Sequence, residues 1–171
     1  MKVAIVIGHS KNSPGTYSKY LKASEYIYNS EVASYLGCVA DIYNRPNARG
    51  YNTQMEKLAE ELNPKGYDLV IELHFNAFNK SANGCEAVIF PGNSKTKSIG
   101  NKFCKMITEK YVTNNRGVKE HGPTQRGGGF LSKMSAPAII LEPFFGDTEE
   151  ALKFESENKY ASVIIDLLSE L

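Results

Sequence analysis

The stretch Tyr67-Asp68-Leu69-Val70-Ile71-Glu72-Leu73-His74-Phe75-Asn76-Ala77 decides the fold class. Residues 67–73 are apolar apart from Asp68 and Glu72, and the run ends at an ionisable residue. A short continuous apolar run of this kind reads as a strand covered on both faces. Such strands belong to mainly parallel sheets flanked by helices. Right-handed crossovers then place the strand C-termini along one edge, where ligands bind.

The flanking sequence repeats the theme. Residues 2–7 form a β-rich run stopped by Gly8. Ser24 is suited to cap a helix that runs to Leu36 and stops at Gly37. Residues 38–43 are a second strand. A helix opens at Asn52 or Thr53, with Met55, Leu58, Ala59 and Leu62 at helical spacing, and Asn63-Pro64 ends it. Residues 86–90 are a further strand, closed by Pro91-Gly92. Ser94 opens a helix with the stripe Ile99, Phe103, Met106 and Ile107. Residues 114–129 read as a polar, glycine-rich loop, and residues 137–141 as the last strand. Asp147 and Glu150 match a capping box for the final helical region, which a break near Ser156 divides. Strand and helix alternate without repeat or linker. The expectation is one α/β domain over residues 1–171, its twisted sheet of about five or six strands mostly parallel, with helices on both faces.

Composition excludes several function classes. The 171 residues carry 20 Lys and Arg against 19 Asp and Glu, a net charge of +1. That balance argues against a nucleic-acid binder and against a disordered acidic chain. No apolar run approaches the ~18–20 residues of a membrane span. The N-terminus lacks the pattern of a signal peptide, so synthesis in the cytoplasm without an export address is expected. Cys38, Cys85 and Cys104 are scattered and odd in number, which predicts reduced thiols rather than a disulfide framework.

The chemistry lies where the strands stop. The first strand ends in Gly8-His9, the third in His74, and the last in Glu142. In a parallel sheet these three stops share one edge and imply a convergent polar site. A fourth group comes from the first helix, where Glu25, Asn29, Val32 and Leu36 share one face. Val32 and Leu36 make that face the buried one, so Glu25 points to the core edge, whereas Glu31 faces solvent. Two imidazoles and one carboxylate are a common ligand set for catalytic zinc. Such an ion lowers the pKa of a bound water from 15.7 to about 7. Glu142 is a candidate for the base that takes the water proton.

These residues resemble the zinc-dependent N-acetylmuramoyl-L-alanine amidases of the amidase-3 family. The family's opening Gly-His matches Ile7-Gly8-His9. Its metal-binding Glu, four residues before an Asn, matches Glu25 and Asn29. Its H-x-N-A block matches His74-Phe75-Asn76-Ala77. Its catalytic Glu, after a Pro-Ala-apolar strand and before an aromatic, matches Pro137-Ala138-Ile139-Ile140-Leu141-Glu142-Pro143-Phe144. The resemblance implies a mixed sheet, Zn2+ held by His9, Glu25 and His74, and Glu142 as general base and then general acid. It implies cleavage of the amide between the lactyl group of N-acetylmuramic acid and L-alanine in peptidoglycan. Two departures stand out: Ser10 replaces a glycine after the first histidine, and Glu72 replaces a serine two residues before the second. Glu72 shares a strand face with His74 and is placed to support it or to compete for the metal.

Candidate substrate-binding residues are Asn76, which also suits anchoring of the loop after His74, and Arg126, which can pair with a stem-peptide carboxylate. His121 is an alternative ligand or acid. Glu86 reads either as substrate-facing or as an edge-strand carboxylate. The tyrosines between positions 17 and 51 read mainly as packing. Without a separate wall-binding domain, the chain is similar to phage or prophage endolysin catalytic domains, expected to be monomeric and to reach the wall after release. Two other functions fit the same residues: a zinc peptidase cutting stem peptides, and a non-catalytic peptidoglycan-binding module.

Overall fold

Eight strands and five α-helices follow one another in the computed structural model, which describes residues 1–171. They are β1 (Val3–Ile7), β2 (Tyr17–Ser18), β3 (Ala23–Ser24), α1 (Glu25–Ser34), β4 (Asp41–Asn44), α2 (Tyr51–Leu62), β5 (Leu69–Leu73), β6 (Cys85–Ile89), α3 (Ser94–Tyr111), β7 (Asn115–Glu120), α4 (Gly128–Lys133), β8 (Ala138–Glu142) and α5 (Glu157–Ser169). Six strands make one sheet in the order β4-β1-β5-β8-β6-β7, while β2 and β3 pair separately. Every neighbouring pair in the large sheet is parallel except β6 and β8. The fold is therefore the expected single α/β domain with a mixed, mostly parallel sheet.

The two-residue period of the strands sorts their side chains into two layers. Ile5, Ile7, Leu69, Ile71, Leu73, Ile139 and Leu141 pack with α1, α3 and α5 through Tyr28, Val32, Phe103, Ile107 and Ile164. Ala4, Val6, Val70, Val88, Ala138 and Ile140 pack with α2 and α4 through Met55, Leu58, Leu62, Phe130 and Leu131. Each fully buried Leu or Ile in these layers stabilises the fold by roughly 1.5–3 kcal/mol relative to exposure. The same alternation puts Glu72 and Glu142 on the α2–α4 face, next along it after Val70 and Ile140.

Several local expectations are corrected. Ser24 does cap α1, accepting from the Ile27 amide, but the helix ends at Ser34. Its last turn tightens through Tyr35 N to Val32 O and Leu36 N to Ala33 O, so Gly37 lies beyond the end. Residues 38–40 remain in that turn, and the second strand starts only at Asp41. Gly50, at φ +87°, is the N-cap of α2, one residue or more before the expected start. α3 does open at Ser94, and Asn93 caps it, accepting from the Thr96 amide at 3.1 Å. The capping box does not form. Asp147 Oδ2 instead accepts from the Phe78 and Lys80 amides at 3.1 and 2.9 Å, and Glu150 accepts from the Gly84 and Phe145 amides. The segment expected as a loop, 114–129, contains β7 and the start of α4. β7 is a charged, half-exposed edge strand whose backbone pairs with β6, and edge strands need no apolar face to do so.

Candidate metal centre

The site rises from three neighbouring strands. β1, β5 and β8 lie side by side and parallel, and their C-terminal ends carry His9, His74 and Glu142. Two backbone bonds continue the ladder past the strand ends, Gly8 N to Leu73 O at 2.9 Å and His74 N to Leu141 O at 3.1 Å. His9 then turns out of the strand at φ +67°, a left-handed conformation that a non-glycine residue holds only where its surroundings fix it. Glu25 arrives from the side as the first residue of α1, its amide bonded to Thr16 O at 2.9 Å.

His9, Glu25 and His74 come close together, and Glu142 lines the same groove. Glu25 Oε1 is 2.6 Å from His74 Nδ1, and Glu25 Oε2 is 3.1 Å from His9 Nε2. One ligand atom from each of the three residues lies within 4.8 Å of the others. Glu25 and His74 are buried, whereas the His9 side chain is 26% exposed, so the cluster opens on one side only. Burial alone would raise the Glu25 carboxyl, but hydrogen bonds from His74 and His9 outweigh it and hold the group well below the usual carboxylate range. Burial would likewise neutralise His74, yet Glu72 and Glu25 on either side raise it to about 9.

Two imidazole nitrogens and a carboxylate with one open side are the donor set of a divalent transition metal such as zinc. The backbone leaves room for it. A Cβ on Gly15 would lie 2.7–2.8 Å from His9 Cδ2, His9 Nε2 and Glu25 Oε2, and Gly15 sits at φ +76°. A side chain at position 15 would thus press on the ligand atoms. The residues present fit the ion.

Glu72 stands behind His74, not among the converging ligand atoms. Its Oε2 is 3.2 Å from His74 Nε2, and its Oε1 accepts from Arg45 Nε at 2.7 Å. Arg45 follows β4 on the same sheet edge, and its guanidinium lies 5.3 Å from the centre of the Tyr51 ring. Arg45 outweighs the burial penalty on Glu72, which stays ionised with its pKa down at about 2. Sequence reading passed over Arg45, although an arginine just after a strand of this edge obeys the same rule that singled out His9 and His74.

Glu142 faces the metal cluster from β8 and is 4% exposed. Burial pushes its carboxyl up to about 7; Glu86 adds to the rise, while Arg126 and His74 oppose it. Arg126 Nη2 lies 3.1 Å from Glu142 Oε1, and Arg126 Nη1 donates to Asn76 Oδ1 at 3.0 Å. Asn76 Nδ2 donates to Glu86 Oε1 at 2.7 Å, and Asn76 Oδ1 also accepts from the Ala77 amide. Asn76 thus links the loop after His74 to Arg126 and Glu86. β6 is covered by β7, so Glu86 is not on an edge strand; because β6 runs opposite to β8, it reaches the same end of the sheet. His121 lies outside the ligand cluster, its Nδ1 bonded to Arg126 O at 2.8 Å. Among the tyrosines, Tyr28 is buried packing and Tyr51 lines the site. Together His9, Glu25, His74, Glu142, Arg126 and Tyr51 bound one groove of about 670 Å³.

The fold has close structural counterparts. The catalytic domain of CD27L endolysin, described as targeting Clostridia difficile, superposes with a TM-score of 0.82 and 26% identity, over 99% of this chain and 97% of that one. An N-acetylmuramoyl-L-alanine amidase from Clostridium difficile 630 gives 0.78 and 20%, over 99% and 95%. The catalytic domain of CwlV, an N-acetylmuramoyl-L-alanine amidase from Bacillus (Paenibacillus) polymyxa var. colistinus, gives 0.74 and 21%, over 99% and 97%. At these last two identities the likeness is one of fold. No curated protein matches the chain. The model of the Amidase_3 family, described as N-acetylmuramoyl-L-alanine amidase, matches residues 3–170, nearly the whole chain with all four site residues inside, and the protein belongs to that family.

Proposed function

We propose that the protein is a zinc hydrolase that cuts the amide between the lactyl group of N-acetylmuramic acid and L-alanine in peptidoglycan, and so lyses the bacterial cell wall. The observation that carries the reading is the convergence of His9, Glu25 and His74 within 4.8 Å, in one groove with Glu142. His9, Glu25 and His74 hold the ion. When bound, zinc supplies Lewis acidity toward the carbonyl oxygen and toward the attacking water.

The other steps belong to the chain. Glu142 as carboxylate takes the proton of the water that attacks the lactyl carbonyl carbon. Glu142 as acid returns that proton to the alanine nitrogen as the carbon–nitrogen bond breaks, leaving a lactyl carboxylate and a free amine. Amide nitrogen is a poor leaving group, so the second transfer matters as much as the first. A carboxyl held near neutral pH, as burial holds Glu142, serves both directions. Arg126, its side chain 59% exposed, releases Glu142 and takes a carboxylate of the stem peptide. Asn76 holds Arg126 at that wall of the groove. Every one of these groups comes from one chain, so a monomer suffices. The endolysin relative favours action on the wall during lysis.

The test is digestion of purified peptidoglycan followed by labelling of newly exposed amino groups. L-Alanine termini freed from muramic acid are expected. New termini elsewhere in the peptide, with that bond intact, would replace this reading by a peptidase. Binding without any new terminus would replace it by a binding module.

A further inference from the structure

A second depression adjoins the groove on the side away from Glu142. It has a volume of about 250 Å³, below the ~300–1,000 Å³ of sites for drug-sized ligands, and it suits a single ring better than a chain. Asn12, Asn44, Asn47, Tyr26 and Lys11 line it, and Arg45 lines both cavities, so the two are neighbours. Asn12 comes from the loop after β1, Asn44 and Asn47 from the end of β4 and its loop, and Tyr26 from the first turn of α1.

From these facts and from the amidase reading above, on which the inference rests, we propose that this depression is a saccharide subsite, holding the N-acetylglucosamine joined to the muramic acid of the substrate. The order of the strands sets a direction across the site. In the sheet order β4-β1-β5-β8 the metal cluster sits over β1 and β5, and Glu142 with Arg126 sits over β8. At ~4.8 Å per strand, β4 lies about 14 Å from β8. The scissile amide has the peptide on one side and the sugar on the other. Arg126 takes the peptide at the β8 end, so the glycan leaves toward β4.

The lining has the matching chemistry. Asparagine amides donate and accept as sugar hydroxyls and N-acetyl groups do, and a tyrosine ring offers an apolar face. No carboxylate lines the depression, which is unlike a cation site. Arg45 is committed to Glu72, leaving Lys11 as the one cation free of a partner. The walls are held in place before any ligand arrives. Tyr26 Oη donates to Asn44 Oδ1 at 3.0 Å, Asn12 Nδ2 reaches Asn47 Oδ1 at 3.5 Å, and Ser10 and Ser13 exchange backbone bonds at 3.0 and 3.1 Å. Asn44 thereby gives its oxygen to Tyr26 and keeps its amide hydrogens for a ligand.

The experiment compares two soluble substrates, a muramyl peptide and the same peptide on N-acetylglucosaminyl-muramic acid. The wild type should cleave the disaccharide substrate with a kcat/KM at least about tenfold higher, the ratio that ~1.4 kcal/mol of added binding gives. In Asn44→Ala/Asn47→Ala that ratio should fall toward one. A wild-type ratio near one, or a ratio the double variant leaves unchanged, overturns the subsite while the amidase reading stands. Cleavage of neither substrate at the lactyl amide overturns the amidase reading and this one with it. As a second measurement, peptide-free chitobiose should shift the side-chain amide signals of Asn44 and Asn47 in the NMR spectrum of Glu142→Gln. Shifts produced by inorganic phosphate at Lys11, and none by chitobiose, contradict the proposal.

Discussion

Glu86 and Glu142 are directly paired across the only antiparallel neighbours of the large sheet, β6 and β8. Two carboxylates so placed disfavour one another's ionisation. Their surroundings decide which keeps the charge. Glu86 accepts from Asn76 Nδ2 and from Arg116 Nε, each at 2.7 Å; burial works against its ionisation, but Arg116 and a hydrogen bond with Glu142 outweigh it and lower its pKa. Glu142, more deeply buried, retains the proton to about pH 7. Glu86→Gln removes the neighbouring negative charge, so the pKa of Glu142 falls. The acid limb of the kcat/KM profile should therefore move to lower pH, as read from steady-state rates across pH 5–9.

Arg126 acts in the opposite sense. Its cation favours ionised Glu142, so Arg126→Ala should move the same acid limb to higher pH. It should also raise KM for substrates whose stem peptide ends in a free carboxylate, with little effect on their amidated counterparts. Equal KM changes for both would remove the peptide-binding role.

Removing the acid–base group separates chemistry from stability. Glu142→Gln should lower amide cleavage by a factor on the order of 10²–10⁴ while bound metal stays at one equivalent. In the metal-free protein, Glu142 has a folded pKa above its unfolded one. The stability it contributes is full below about pH 4.5 and is lost as pH rises through about 7. Glu142→Gln should consequently gain on the wild type in urea denaturation above pH 7, and the gain should vanish near pH 4.

Arg45 and Glu72 form an ion pair with side chains only 8% and 0% exposed. Arg45→Ala strands a buried carboxylate beneath His74 and should destabilise the protein by about 3–5 kcal/mol. Arg45→Met with Glu72→Gln leaves no stranded charge and should recover most of that loss, measured by denaturant midpoint and slope. Metal affinity should fall in the single variant, because Glu72, no longer held by Arg45, orients the His74 ring less firmly.

Gly15 tests the shape of the centre without touching a ligand. A methyl group there meets His9 and Glu25 at 2.7–2.8 Å in a left-handed backbone conformation. Gly15→Ala should retain the fold by circular dichroism and lose metal to a chelator at a lower chelator concentration than the wild type.

Much of this was legible in the sequence because the strands announce where they stop. The apolar runs ending at Gly8, Leu73 and Leu141 are set by burial on both faces, and the residues that follow them must share an edge once the strands are parallel. Val32 in α1, with Leu36 just past its end, declares the buried face, which is enough to aim Glu25. What stayed hidden depends on pairing partners that a single strand does not encode. The reversal of β6 brings Glu86 opposite Glu142, and nothing in residues 85–90 specifies direction. β7 is polar because it is an edge, so its residues resemble a loop. Asp147 and Glu150 have the spacing of a capping box, yet backbone amides of distant loops at Phe78, Lys80 and Gly84 take them instead.

The central claim is that His9, Glu25 and His74 share one metal ion beside Glu142. Crystals of the zinc-loaded protein, measured on both sides of the zinc absorption edge, test it most directly. One anomalous peak, within bonding distance of His9 Nε2, Glu25 and His74 Nδ1, is the predicted result. A peak elsewhere, or zinc bound equally well after His9→Ala and His74→Ala, would contradict it.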